Sequence, residues 1–91
     1  MNSSNLRAKR IEKLLKIKLL PSHISIKDNS YQHATHGNIE KGATETHLFI
    51  KIISQHFNGM KKVEMHQLVY KILKEEFNRG LHALELELDV E

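Results

Sequence analysis

Phe57–Leu84 reads FNGMKKVEMHQLVYKILKEEFNRGLHAL, and the punctuation within it decides the fold. Asn58-Gly59 is a tight-turn signal. From about Val63 to Phe77 the apolar residues Met65, Leu68, Val69, Ile72, Leu73 and Phe77 recur at helical spacing, which predicts one amphipathic helix over 63–77. Lys71 and Glu75 add an i,i+4 ion pair to that helix, and Gly80 ends it. The chain then alternates: His82, Leu84, Leu86 and Leu88 fall on one face of a strand, with Ala83, Glu85, Glu87 and Asp89 on the other. A strand with one apolar and one acidic face belongs to a sheet covered by helices on a single side.

Working back toward the N-terminus, Thr44–Ser54 is a second strand, with Leu48, Ile50 and Ile52 on its apolar face and His47, Phe49 and Lys51 opposite. Residues 28–43 carry Asn, Ser, Gly37 and Gly42 without any period, so they read as a polar loop holding Tyr31, His33 and His36. His23–Lys27 alternates around Ile24 and Ile26 as a short strand. Before it, Ser3 or Ser4 caps a helix that runs to about Leu19, with Ile11, Leu14, Leu15 and Leu19 on one face and Pro21 as its stop.

The order α-β-β-α-β makes this an α+β protein: one two-layer domain over residues 1–91 with a three-stranded mixed sheet. The first two strands form a hairpin closed by the 28–43 loop. The second and third are joined through the helix as a right-handed crossover between parallel strands. The third strand then starts at the end of the sheet where the loop lies. His82 is expected near His33 and His36, and His66, in the helix's first turn, toward the opposite end.

A chain of 91 residues buries only about 60–65% of the surface its unfolded form exposes, which matches a single small core. It contains no cysteine, so it has no disulfide and no thiolate of its own for a metal. Any soft-metal site must use histidine and borrow sulfur from a partner. The net charge is +3, unevenly placed. Arg7, Lys9, Arg10, Lys13, Lys16 and Lys18 face only Glu12 at the start, whereas the last strand is acidic. No apolar run approaches the roughly 20 residues that span a bilayer. The basic first helix has the character of a mitochondrial targeting segment, but its apolar face reads as part of the domain core. The expected setting is the cytoplasm for a bacterial protein and the mitochondrial matrix for a eukaryotic one.

Taken together, Ser30-Tyr31-Gln32-His33, Glu45-Thr46-His47-Leu48-Phe49, Phe57-Asn58-Gly59, His66-Gln67-Leu68-Val69-Tyr70 and His82-Ala83-Leu84 resemble the BolA family over nearly the whole chain. The resemblance implies a core related to the K-homology fold and a monothiol glutaredoxin as heterodimer partner. It also implies a [2Fe-2S] cluster bridging the two proteins, for iron–sulfur trafficking or iron and redox sensing. The glutaredoxin cysteine and glutathione supply sulfur, and the BolA-like chain supplies a C-terminal histidine and one loop residue. The first falls on His82. The second falls on His33, with His36 three residues on as the alternative. The isolated chain is then expected to be a cofactor-free monomer. Mixed histidine and cysteine ligation raises the potential of such a cluster and makes it sensitive to acid. Family members usually carry Arg on both sides of the helix histidine, where this chain has Met65 and Gln67.

The other function class is a nucleic-acid-binding transcriptional regulator using the turn and helix at 57–77, with Lys61, Lys62, Lys71 and Lys74 reaching phosphates and His66 and Tyr70 as further contacts. Against it, residues 57–80 carry five cations and three acids, no arginine lies within the helix, and Gly59-Met60-Lys61-Lys62 lacks the second glycine of a GxxG clamp. His66 is read as a structural or partner-facing residue, and His23, His47 and His56 as ordinary. Nothing resembles a nucleophile–base arrangement, a phosphate loop or a carboxylate pair in a cleft, so an enzyme is not expected.

Overall fold

The computed structural model describes residues 6–29 and 46–91. Helix α1 (Leu6–Leu19) leads into β1 (His23–Asp28) and β2 (His47–Ile53). A 3-10 turn (Gln55–Phe57), helices α2 (Lys62–Ile72) and α3 (Lys74–Asn78), and β3 (Ala83–Asp89) follow. The sheet order is β1-β2-β3, with β1 antiparallel and β3 parallel to β2. The expected mixed sheet and parallel crossover are therefore present. Serines 3 and 4, and the segment 30–45 with Tyr31, His33 and His36, lie outside the described residues.

The core forms because both periodicities aim at one layer. Ile11, Leu15 and Leu19 of α1 and Met65, Val69 and Leu73 of the second helical region meet Leu48, Ile50, Ile52, Leu84 and Leu88 of the sheet. All of these are buried, so α1 is an integral part of the core. The opposite face of the sheet is open, with Lys51 pairing across strands to Glu87 at 3.5 Å.

The turn before α2 follows from its sequence. Asn58 has φ −59° and ψ 130°, Gly59 has φ +81°, and the Met60 N–H donates to the Phe57 carbonyl at 3.0 Å. That is a type II turn, whose third residue must take a positive φ that glycine adopts without a Cβ penalty. Glu64 then reaches back to accept from the Lys61 N–H at 2.7 Å, satisfying a donor at the start of α2.

The single helix expected over 63–77 is instead two helices, broken at Leu73. Leu73 is fully buried at the joint with φ −96° and ψ 12°, and its carbonyl accepts from the Glu76 N–H at 2.9 Å. The bend turns Glu76 inward beneath α1. There Arg10 donates to both of its carboxylate oxygens at 2.8 Å, and Arg7 donates through Nε at 3.2 Å. A charged residue thus sits where the apolar stripe runs out, buried but paired as burial of a charge requires. The Arg10 hydrogen bonds hold the Glu76 carboxyl below the usual glutamate range against the opposing effect of burial. The Lys71–Glu75 pair of an unbroken helix does not form.

Candidate functional site

The end of the sheet where β2 and β3 begin gathers two histidines. The N–H groups of His82 and Ala83 both donate to the Thr46 carbonyl, at 2.8 and 3.0 Å. Two consecutive donors on one acceptor interrupt the strict alternation that the sequence predicts, so β3 opens at Ala83 and not at His82. His82 does not join Leu84 and Leu88 under the helices; it is exposed. Its ring meets that of His47 edge-on, with centroids 5.9 Å apart and planes 68° apart. His47 is paired in register with Ala83, and its Nδ1 shares a hydrogen bond with the Thr46 hydroxyl at 3.0 Å. Neither ring nitrogen of His82 has a hydrogen-bond partner among the described residues.

His47, read from sequence as ordinary, is therefore the residue that sequence reasoning missed. The available signal was the crossover itself. In parallel strands the ETH and HAL segments start side by side, and histidines near each start are brought together. Residues 29 and 46, which flank the 30–45 segment, both lie at this end: the Asn29 N–H donates to the His47 carbonyl at 2.8 Å, and the Thr46 carbonyl holds His82.

The remaining candidates lie along α2, which begins at the far end of β3 and reaches Leu84, near the pair, at Tyr70. Lys62 donates to the Leu88 carbonyl and stands 3.1 Å from the Asp89 carboxylate, which places the start of α2 at the far end of β3. His66, one turn on, shares a hydrogen bond through Nδ1 with the Lys62 carbonyl at 2.8 Å. Tyr70, a further turn on, donates to the Leu84 carbonyl at 3.1 Å and stacks on Phe77 with centroids 5.3 Å apart. Lys62, His66 and Tyr70 thus form an i, i+4, i+8 row whose outer members hold the free edge of β3. Lys61, Lys71 and Lys74 are exposed and make no ion pair among the described residues.

A shared metal cluster can be tested against these residues. His82 is an accessible imidazole, without a side-chain hydrogen bond among the described residues, on a backbone pinned to the Thr46 carbonyl by its own N–H and that of Ala83. That suits a single nitrogen ligand. Among the described residues no group of three or more His, Cys, Asp or Glu could hold a metal ion, and the chain has no cysteine. Among the described residues the donor set thus fits a contributed ligand.

Comparison with known proteins agrees with this architecture. The BolA family, described as BolA-like protein, matches residues 15–90. The chain is 48% identical over 82 residues to "Protein BOLA1, chloroplastic" of Arabidopsis thaliana, covering 88% of this chain and 51% of that protein. It is 35% identical over 78 residues to "DNA-binding transcriptional regulator BolA" of Haemophilus influenzae, covering 86% of this chain and 71% of that one. The solved BolA domain of SufE1 from Arabidopsis thaliana superimposes with a TM-score of 0.83 at 36% identity, covering 99% of this chain and 94% of that domain. The chain thus spans about half the length of its chloroplast relative. No helix among the described residues is long and apolar enough to cross a membrane.

Proposed function

The chain belongs to the BolA-like family, and from that premise we propose that it is an adaptor that pairs with a monothiol glutaredoxin and contributes imidazole to a [2Fe-2S] cluster shared between them. The observation that carries this reading is the His82 ring: exposed, without a hydrogen bond among the described residues, and 5.9 Å from His47 at the end of the sheet where residues 29 and 46 flank the 30–45 segment. Sulfur comes from the glutaredoxin and glutathione, because this chain has none in cysteine form. The cluster, when bound, supplies electron-transfer and transfer-competent iron–sulfur chemistry. What the chain's own residues do is simpler. Thr46 fixes the backbone at His82 through its carbonyl and steadies His47 through its hydroxyl, so the ligand end is ordered before a partner arrives. His33 or His36 is the second ligand by family resemblance, and the flanking residues Asn29 and Thr46 bond to His47 and His82.

The test is reconstitution with a monothiol glutaredoxin, glutathione and a cluster source, followed by visible absorption and circular dichroism. His82→Ala is expected to abolish the heterodimer's spectrum, with His33→Ala and His36→Ala separating the two loop candidates. An unchanged spectrum and cluster lifetime in His82→Ala overturns the assignment.

A second reading, nucleic-acid binding through α2, is favoured by the name of the Haemophilus relative and by the unpaired Lys61, Lys71 and Lys74. Lys62 and Tyr70, engaged with β3, reduce the groups available to it. Titration of duplex DNA across salt concentrations decides it. Tight binding with a steep salt slope supports this reading.

A further inference from the structure

Between the end of α1, the 3-10 turn and α2 lies a groove that the cluster reading does not use. It has a volume of about 510 Å³ and is lined by Lys18, Leu19, His56, Leu68, Lys71 and Ile72. Ser54 builds it. The buried Ser54 hydroxyl donates to the Leu19 carbonyl at 2.5 Å and accepts from the His56 N–H at 3.0 Å, which locks the end of α1 to the 3-10 turn. The Ser54 N–H in turn donates to the Asp89 carbonyl at 3.0 Å, so the groove's rear wall is anchored to the far end of β3. Strands rise about 3.3 Å per residue, and the seven residues of β2 therefore separate Ser54 from Thr46 by roughly 25 Å.

The chemistry of the lining is one-sided. Leu19 forms a buried floor, and Leu68 and Ile72, four residues apart on α2, stand half-buried as an aliphatic ridge. Lys18 and Lys71 flank that ridge, His56 adds a third nitrogen group, and among the described residues no carboxylate lines the groove, although Glu91 lines the neighbouring depression that shares His56. Neither lysine makes an ion pair within the described chain. Beside it, and sharing His56, is a second depression that includes Leu20. Leu20 has φ +44° and is 69% exposed, which is a strained backbone region for a leucine and an unusual place to present one to water.

We propose that this groove docks an acidic amphipathic helix of a partner protein, with apolar anchors seated between Leu19, Leu68 and Ile72 and carboxylates facing Lys18 and Lys71. An aliphatic trough between two helices, flanked by cations, is the complement of a helix that presents apolar residues one turn apart with acids beside them. Nucleic acid fits less well. It offers no aliphatic anchors for the ridge, and the lining has no arginine, tyrosine, phenylalanine or tryptophan on which bases stack. The proposal stands apart from the cluster reading, because His82, His47 and Thr46 are not among the lining residues, and Lys18, Leu19 and His56 gather at the Ser54 end of β2.

The experiment uses the full chain, labelled with nitrogen-15, and two synthetic 15-residue helical peptides with leucines one turn apart. One carries flanking glutamates and the other lysines at the same positions. The glutamate peptide is expected to shift the amide resonances of Leu19, Leu68, Lys71 and Ile72 and to bind at least tenfold more tightly than the lysine peptide at low salt. The double variant Lys18→Glu, Lys71→Glu, both exposed positions, is expected to keep the wild-type circular dichroism spectrum and to reverse the preference. His82→Ala is expected to leave peptide binding unchanged, which separates failure here from failure of the cluster assignment. Equal binding of the two peptides, resonance shifts confined to other surfaces, or an unreversed preference in the double variant overturns the proposal. So does displacement of the glutamate peptide by duplex DNA or by phosphatidylglycerol vesicles with equal effect on the same resonances.

Discussion

The imidazole rings of His47 and His82 meet edge to face at 5.9 Å, and they do so because the Thr46 carbonyl accepts from both the His82 and Ala83 N–H groups. That shared acceptor turns His82 out of the strand's alternation and onto the open side of the sheet, where His47 stands. The contact assigns the two residues different work. His82 has free ring nitrogens, whereas His47 has its Nδ1 hydrogen-bonded to Thr46 and is placed to hold the His82 ring in position. His47→Phe keeps an aromatic edge against His82, so it is expected to preserve the reconstituted cluster's spectrum and lifetime. His47→Ala is expected to preserve the spectrum but shorten the lifetime several-fold. If His47→Phe destroys the spectrum as fully as His82→Ala, His47 is itself a ligand.

The Glu76 cluster makes stability depend on pH. The carboxyl titrates lower in the folded chain than in the unfolded one, so its stabilising contribution is complete above the ordinary glutamate range, near pH 4.5. That contribution falls away as pH drops from there through the lowered folded value. Glu76→Gln is expected to cost roughly 1–3 kcal/mol at pH 7 by loss of charge-assisted hydrogen bonds from Arg7 and Arg10. The gap between variant and wild type, measured by urea denaturation, is expected to narrow progressively as pH falls below 4.5. A gap that stays constant over that range shows that the arginines do not depend on the charge of Glu76.

The elements that could be read in the sequence are those whose partners are close in sequence or fixed by periodicity. Met65, Val69, Leu73, Leu84 and Leu88 announce their own burial, and the crossover places the start of β3 beside the hairpin loop. The break at Leu73 is different. The apolar stripe passes through it without a flaw, and the inward turn of Glu76 depends on Arg10 and Arg7, 66 and 69 residues away. Pairings at that separation leave no local pattern. His47 was hidden for a related reason: alternation assigns it to the solvent face, and only the doubled hydrogen bond at Thr46 brings His82 to the same side.

The free edge of β3 is held by two side chains of α2, and each can be tested. Tyr70 donates to the Leu84 carbonyl, Lys62 donates to the Leu88 carbonyl, and the two-residue period of the strand points the Leu86 carbonyl the same way. Tyr70→Phe removes one hydrogen bond and is expected to cost about 1 kcal/mol. Lys62→Ala, which also uncovers the edge, is expected to increase concentration-dependent association, since unguarded strand edges pair with other chains. Sedimentation velocity over a concentration series checks this. A Lys62→Ala protein with the wild-type concentration dependence shows that the edge needs no guard.

At Leu20, stability and binding are expected to move in opposite directions. Its φ of +44° ends α1 in the left-handed region, where a leucine costs about 1–2 kcal/mol that glycine does not. Its side chain is 69% exposed and returns little of that cost through packing. Leu20→Gly also makes the unfolded chain more flexible, which offsets part of the relief. The net expectation is a gain of about 0.5–1 kcal/mol in denaturant unfolding. If Leu20 is held there as the rim of the groove beside His56, the same variant binds the acidic helical peptide several-fold more weakly. A variant that is more stable and binds equally well separates the strain at Leu20 from the groove, and leaves the cap as a feature of the α1–β1 connection alone.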